Sequence, residues 1–211
     1  MTDLSTDAVL KTLADLISIN SVNPSYEGGV PEAELADYVR GFFVQRGIET
    51  VRQEVDVGRP NVIARIPGRN PRKRIVFEAH LDTVAVVGMS IEPWKPEVRD
   101  GKMYGRGACD TKGGMAAMMQ AAASLVADGV TPPCDVIFAA TMDEEYSFRG
   151  VSALCNAPEV WASEVWASEV EPDQVEPAMK KHALAEVAIV AEPTMLQPAI
   201  ASKGLVRWKI E

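Results

Sequence analysis

The stretch Arg74–Val84, RIVFEAHLDTV, opens as a short apolar run rich in branched and aromatic side chains and closes on a histidine with an aspartate two residues later. Such a run reads as a buried strand. Two later segments have the same construction: CDVIFAATM (residues 134–142), followed by Asp143, Glu144 and Glu145, and EVAIVAE (residues 186–192). Apolar runs without polar alternation belong to strands covered on both faces, as in parallel sheets. Between them, KGGMAAMMQAAASLVADG (residues 112–129) reads as a buried helix. Upstream, Ser5, Thr6 and Asp7 are cap candidates for a helix carrying Leu10, Leu13 and Ile17 at helical spacing. A second helix is expected from Pro31 to Gly47, followed by strands in IETVRQEVDV and NVIARIPG. Alternating strands and helices predict an α/β domain whose central sheet is covered on both faces.

Each apolar strand ends on a group able to bind a metal: His80, the pair Glu144 and Glu145, and Glu192. In open α/β sheets the ligand crevice lies outside the carboxyl ends of the strands, so parallel neighbours would bring these groups to one rim. Asp110, in the glycine-rich YGRGACDTKGG just before the Ala/Met helix, can face the same rim. Taken singly, each has a plainer reading: a structural His–Asp pair, a solvated glutamate pair, a strand end, a helix cap. Together they are costly beside apolar strands unless a cation neutralises them. A divalent ion would do so for His80, Asp110, Glu145 and Glu192. Asp82 can reach back to the second ring nitrogen of a ligating His80. Adjacent glutamates on an extended chain diverge, so one suits a ligand and the other a general base.

The chain has 211 residues and a net charge of −9, which argues against nucleic acid or an anionic membrane as a main partner. Three scattered cysteines do not suggest a disulfide framework, no basic-then-apolar leader opens the chain, and a cytoplasmic location is expected. Residues 160–169 repeat a pentapeptide, VWASEVWASE, within an acidic stretch. Five residues advance a helix by about 500°, so its two tryptophans would not share a face. A surface insertion and a partner-binding tryptophan patch both remain open. A cysteine nucleophile at Cys109 is disfavoured because no histidine lies near it in sequence.

AHLDTV, GRGACDTKGG, MDEEYS and AEPT, in that order, resemble the co-catalytic zinc amidohydrolases and peptidases. That family includes acetylornithine deacetylase, succinyl-diaminopimelate desuccinylase, aminoacylase and the glutamate carboxypeptidases. The resemblance implies a three-layer α/β/α catalytic domain with a mixed, mostly parallel sheet. It places the catalytic domain over residues 1–200 and a strand entering a lid and dimerisation domain over residues 201–211. It implies that His80 and Glu192 ligate one Zn2+ and that Asp110 bridges two. Glu145 would ligate the second, Glu144 would be the general base, and Asp82 would orient His80. Co2+ or Mn2+ can replace Zn2+ at such a site. A cis peptide at Asp110–Thr111 is also implied.

The implied reaction is hydrolysis of the amide bond of an N-acyl amino acid or small peptide, in an enzyme homodimeric through its lid. The family's second zinc takes a further histidine near the far C-terminus. His182, the chain's other histidine, matches no motif. The chain is therefore expected to correspond to roughly the first half of a complete enzyme and to be weakly active or inactive alone. A non-enzymatic metal-binding or regulatory fragment, paired with a separate second half, is the alternative.

Overall fold

The computed structural model describes residues 5–157, 185–195, 197 and 199. Helix α1 (Thr6–Ser18) starts where the Ser5 side chain accepts a hydrogen bond from the Ala8 amide at 3.3 Å. It turns Leu13, Leu16 and Ile17 inward. Helix α2 (Ala33–Val44) begins two residues after Pro31. Beyond its end Gly47 adopts φ +71°, a left-handed conformation glycine takes at little cost, and the Ile48 amide reaches back to the Phe43 carbonyl at 3.1 Å.

Strands β1 (Glu49–Asp56) and β2 (Arg59–Ile66) form an antiparallel hairpin, and β3 (Arg74–His80) follows. A small hairpin of β4 (Glu97–Arg99) and β5 (Lys102–Tyr104) leads into helix α3 (Lys112–Ala127). Then come β6 (Asp135–Thr141), helix α4 (Arg149–Asn156) and β7 (Val187–Val190). The main sheet runs β1-β2-β6-β3-β7. Its β6-β3-β7 half is parallel, while β2 is antiparallel to both β6 and β1.

The period of two along each strand divides the core into two layers. Val62, Ala64, Ala79, Phe138 and Ala140 pack against apolar residues of α1, α2 and α3. Ile63, Val76, Ile137 and Ala139 face the other way, toward Leu154 of α4. This is the expected α/β/α arrangement with a mixed sheet, with one correction: β7, read from sequence as buried, lies at the sheet edge and is exposed along its length among the described residues. Leu16, Ile17 and Phe43 are fully buried, each burial favouring folding by about 1.5–3 kcal/mol.

One glycine sets how closely a helix approaches the sheet. A Cβ on Gly114 would stand 2.6 Å from the Cβ of Ala191, so the first turn of α3 can lie against the end of β7 only without a side chain there. Neither α4 nor the β4–β5 hairpin was expected from sequence; each is too short to show a convincing period. The tandem repeat, His182 and residues 201–211 lie outside the described residues. Among the described residues no helix is long and apolar enough to cross a membrane.

Candidate active site

Because β3, β6 and β7 run parallel, their carboxyl ends share one edge of the sheet. His80, the last residue of β3, is in register with Thr141, the last of β6. Glu144 and Glu145 follow Thr141 by three and four residues. Glu78 is in register with Val190, the last residue of β7, and Glu192 lies two residues beyond it. Asp110 enters from the loop before α3, and the Asp110–Thr111 peptide is cis. All six residues singled out from sequence therefore meet at one rim.

The His80 imidazole is the focus. Only 1% of its side chain is exposed, and its Nε2 lies 2.9 Å from Asp110 Oδ1, 3.7 Å from Glu192 Oε1 and 3.9 Å from Glu144 Oε2. Two sets of ligand atoms each lie within 4.8 Å of one another: His80 with Asp110 and Glu192, and His80 with Glu144 and Glu145. The two sets share His80. The resemblance makes Asp110 the shared ligand instead; here its carboxylate is turned toward the imidazole. Neutral imidazole and carboxylate oxygens are a donor set that fits Zn2+ and related divalent ions.

The electrostatics show too much negative charge for one imidazole. Burial works against the charged form of His80, but the Asp110 hydrogen bond and the charges of Asp82 and Glu144 outweigh it and carry its pKa up to about 9. Burial raises Glu145 to about 7 and also raises Glu144 and Glu192, with neighbouring carboxylates adding to each. Asp110 is held low, first by its hydrogen bond to His80. Carboxylates that resist ionising while crowded around one base form an arrangement a cation would relieve.

Asp82 stands beside His80, yet its carboxylate is engaged elsewhere. The His80 Nδ1 contact at 2.9 Å is to the Asp82 backbone carbonyl, and the nearest carboxylate oxygen is 3.7 Å away. Asp82 Oδ1 accepts the Glu144 amide at 2.9 Å and Oδ2 accepts the Glu145 amide at 3.0 Å. A carboxylate two residues past the strand end can reach those amides because the loop after β6 folds over it. The sequence spacing allowed the ring contact but could not reveal these competing donors.

Several buried polar groups behind the rim had no sequence signal. Asp143 adopts φ +65° at the turn leading to Glu144. Its carboxylate accepts from Ser147, from Arg149 at 2.9 Å and from Arg59 at 3.1 Å. Burial opposes its charged form, but these donors and Asn23 bring its pKa down to about 2. Arg59 also forks onto Glu32, with Nε and Nη2 each 2.7 Å from a carboxylate oxygen. On the other side, Asn61 Oδ1 accepts the Met142 amide at 3.0 Å and Asn61 Nδ2 donates to the Gly150 carbonyl at 2.8 Å.

Lys112 lies inside a quoted motif but was assigned no role. It is fully buried, and its Nζ donates to the carbonyls of Leu16 and Ile19 at 2.9 Å each. Burial pushes its pKa down to about 7, while the carbonyl end of α1 favours the ammonium. The lysine thus ties α1 to the turn that carries Asp110.

Known proteins share this frame. A succinyl-diaminopimelate desuccinylase of Gluconacetobacter diazotrophicus is 36% identical over 148 residues, covering 69% of this chain and 37% of its own. An acetylornithine deacetylase of Myxococcus xanthus is 29% identical over 209 residues, covering 97% of this chain and 47% of its own. The chain thus spans less than half the length of these relatives. Human carnosine dipeptidase 1 has the same fold with a TM-score of 0.60 and 24% identity, over 74% of this chain and 36% of that one. The model of peptidase family M20/M25/M40 matches residues 76–207, which takes in His80, Asp110, Glu144, Glu145 and Glu192, and the chain belongs to that family.

Proposed function

We propose that this chain carries the metal-binding half-site of a hydrolase that cleaves the amide bond of an N-acyl amino acid or small peptide. The observation that carries the reading is the convergence of Asp110, Glu192 and Glu144 on His80 Nε2. His80, Asp110, Glu145 and Glu192 would hold Zn2+. When bound, the metal supplies Lewis-acid polarisation of the carbonyl and lowers the pKa of a water at the site. The substrate class follows from relatives named for removing acetyl and succinyl groups from amino acids.

Glu144 is the general base in this reading. Burial raises its pKa toward the range in which a carboxylate accepts a proton readily and returns it. It takes a proton from the attacking water as the oxygen–carbon bond forms. It then delivers that proton to the departing nitrogen as the carbon–nitrogen bond breaks. Asp82 holds the amides of Glu144 and Glu145, and its backbone carbonyl holds His80 Nδ1, so Nε2 is left to face the ion.

The test uses chain stripped of metal and titrated with Zn2+ by calorimetry, then assayed on N-acetyl and N-succinyl amino acids by release of free amine. Zinc binding, with any hydrolysis lowered about 100-fold or more in Glu144→Gln while zinc binding persists, is the expected result. A chain that binds no zinc, or a Glu144→Gln variant as active as the parent, overturns the reading.

A further inference from the structure

We infer that Asn23, which lies outside every site motif, is a positioning residue that ties the Glu144–Glu145 backbone to the scaffold; the inference rests on the metallohydrolase reading above. Asn23 follows α1 in a short extended segment that runs beside the chain after His80. Val22 bridges Thr83 in parallel, the Asn23 amide donates to the Thr83 carbonyl at 2.8 Å, and the Thr83 amide donates to the Ser21 carbonyl at 2.9 Å. This pairing brings the Asn23 side chain beside Asp82.

The side chain then has one way to lie. Its Oδ1 accepts the Ser25 amide at 2.9 Å, so its nitrogen must face the other way. Nδ2 donates one proton to Asp82 Oδ2 at 2.7 Å and the other to Asp143 Oδ1 at 2.9 Å. Asn23, Asp82 and Asp143 are all completely buried. A carboxamide is suited to this place because it bridges two anions with two donors and adds no charge of its own. Lysine or arginine would bring a cation beside the candidate ligands, and aspartate would add a third buried anion.

The chain of bonds reaches the catalytic loop from both ends. Asp82, fixed by Asn23, accepts the amides of Glu144 and Glu145. Asp143, fixed by Asn23 and Arg59, opens the same loop, and its carbonyl accepts the Phe148 amide at 2.7 Å. Loss of the Asn23 amide removes the only element in this set that joins the two aspartates directly. The Glu144–Glu145 backbone then loses its register against His80, although neither glutamate side chain has been touched.

Asn23→Ala and Asn23→Asp, the latter matched in size, test this on the metal-free and zinc-loaded 211-residue chain. In variants whose circular dichroism shows a folded chain, zinc affinity, measured by chelator competition, is expected to fall about 10–100-fold. The visible absorption of bound Co2+ should change shape. Amide exchange at Glu144 and Glu145, slow in the parent, should become fast in both variants. A folded variant with parental zinc affinity, Co2+ spectrum and amide protection overturns the inference. So does fast exchange of those two amides in the parent chain, a measurement that needs no variant to fold. A parent chain that binds no zinc defeats the proposed function instead, and the amide-exchange comparison still decides the role of Asn23.

Discussion

Replacing Arg59 by methionine keeps most of the buried stem and removes the charge, so it isolates what the guanidinium does. Arg59 gives two hydrogen bonds of 2.7 Å to Glu32 and one of 3.1 Å to Asp143, and both carboxylates are completely buried. The two partners are not equally exposed to the loss. Asp143 keeps donors from Asn23, Ser147 and Arg149, whereas Glu32 loses both bonds of its fork. Breaking a buried ion pair from one side costs about 3–5 kcal/mol, chiefly because a charge is left without a partner. For a chain of this size that is a fall in melting temperature of about 6–20 °C. The double variant Arg59→Met/Glu32→Leu removes the stranded charge as well, so it should be more stable than Arg59→Met alone. Urea denaturation followed by circular dichroism measures both. A single variant within about 0.5 kcal/mol of the parent refutes the reasoning, as does a double variant at least as unstable as the single one.

Three further outcomes follow from the site and its surroundings. In the metal-free chain His80 has a pKa of about 9, above its ordinary value, so its stabilising contribution is complete below about pH 6.5 and disappears as pH rises through 9. Glu145, raised to about 7 by burial, penalises the folded state progressively as pH rises from its ordinary value toward 7. Lys112, lowered to about 7 by burial, works the other way, its penalty on the folded state easing as pH rises above 7, but His80 and Glu145 together outweigh it. Scanning calorimetry should therefore show the metal-free chain melting at lower temperature at pH 9 than at pH 5.5; an opposite trend contradicts this. Zinc binding at pH 7.5 should release protons, because a ligating His80 must be neutral, and calorimetry in two buffers of different ionisation enthalpy reads the number directly. Gly114→Val, whose Cβ would sit 2.6 Å from that of Ala191, should cost about 1–3 kcal/mol and weaken zinc binding by moving Glu192; parental values for both contradict the packing described.

Much of the architecture was legible because it is written in local patterns. The apolar runs at Ile75–Ala79 and Val136–Ala140 announced buried strands; the run at Val187–Val190 announced a strand but not its exposure at the sheet edge, and the residues just past all three ends announced the rim. Their parallel pairing made that rim real. The helix spanning Lys112–Ala127 was visible for the same reason. Helix α4, only eight residues long, was not, because so few turns hold no reliable period.

By itself, then, the sequence determined the three longer helices, the strands of the main sheet and which ionisable groups stand at strand ends. Periodicity and chain position are local properties, readable without knowing what lies alongside. Tertiary structure alone decided that β6 inserts between β2 and β3. It also decided that Asp82 spends its carboxylate on the Glu144 and Glu145 amides, not on the imidazole two residues away. Glu32, Arg59, Asn23 and Asp143 come from four separate segments and satisfy one another's hydrogen bonds only after folding. A buried polar group is tolerable only with a partner, and which partner arrives depends on how the strands are ordered.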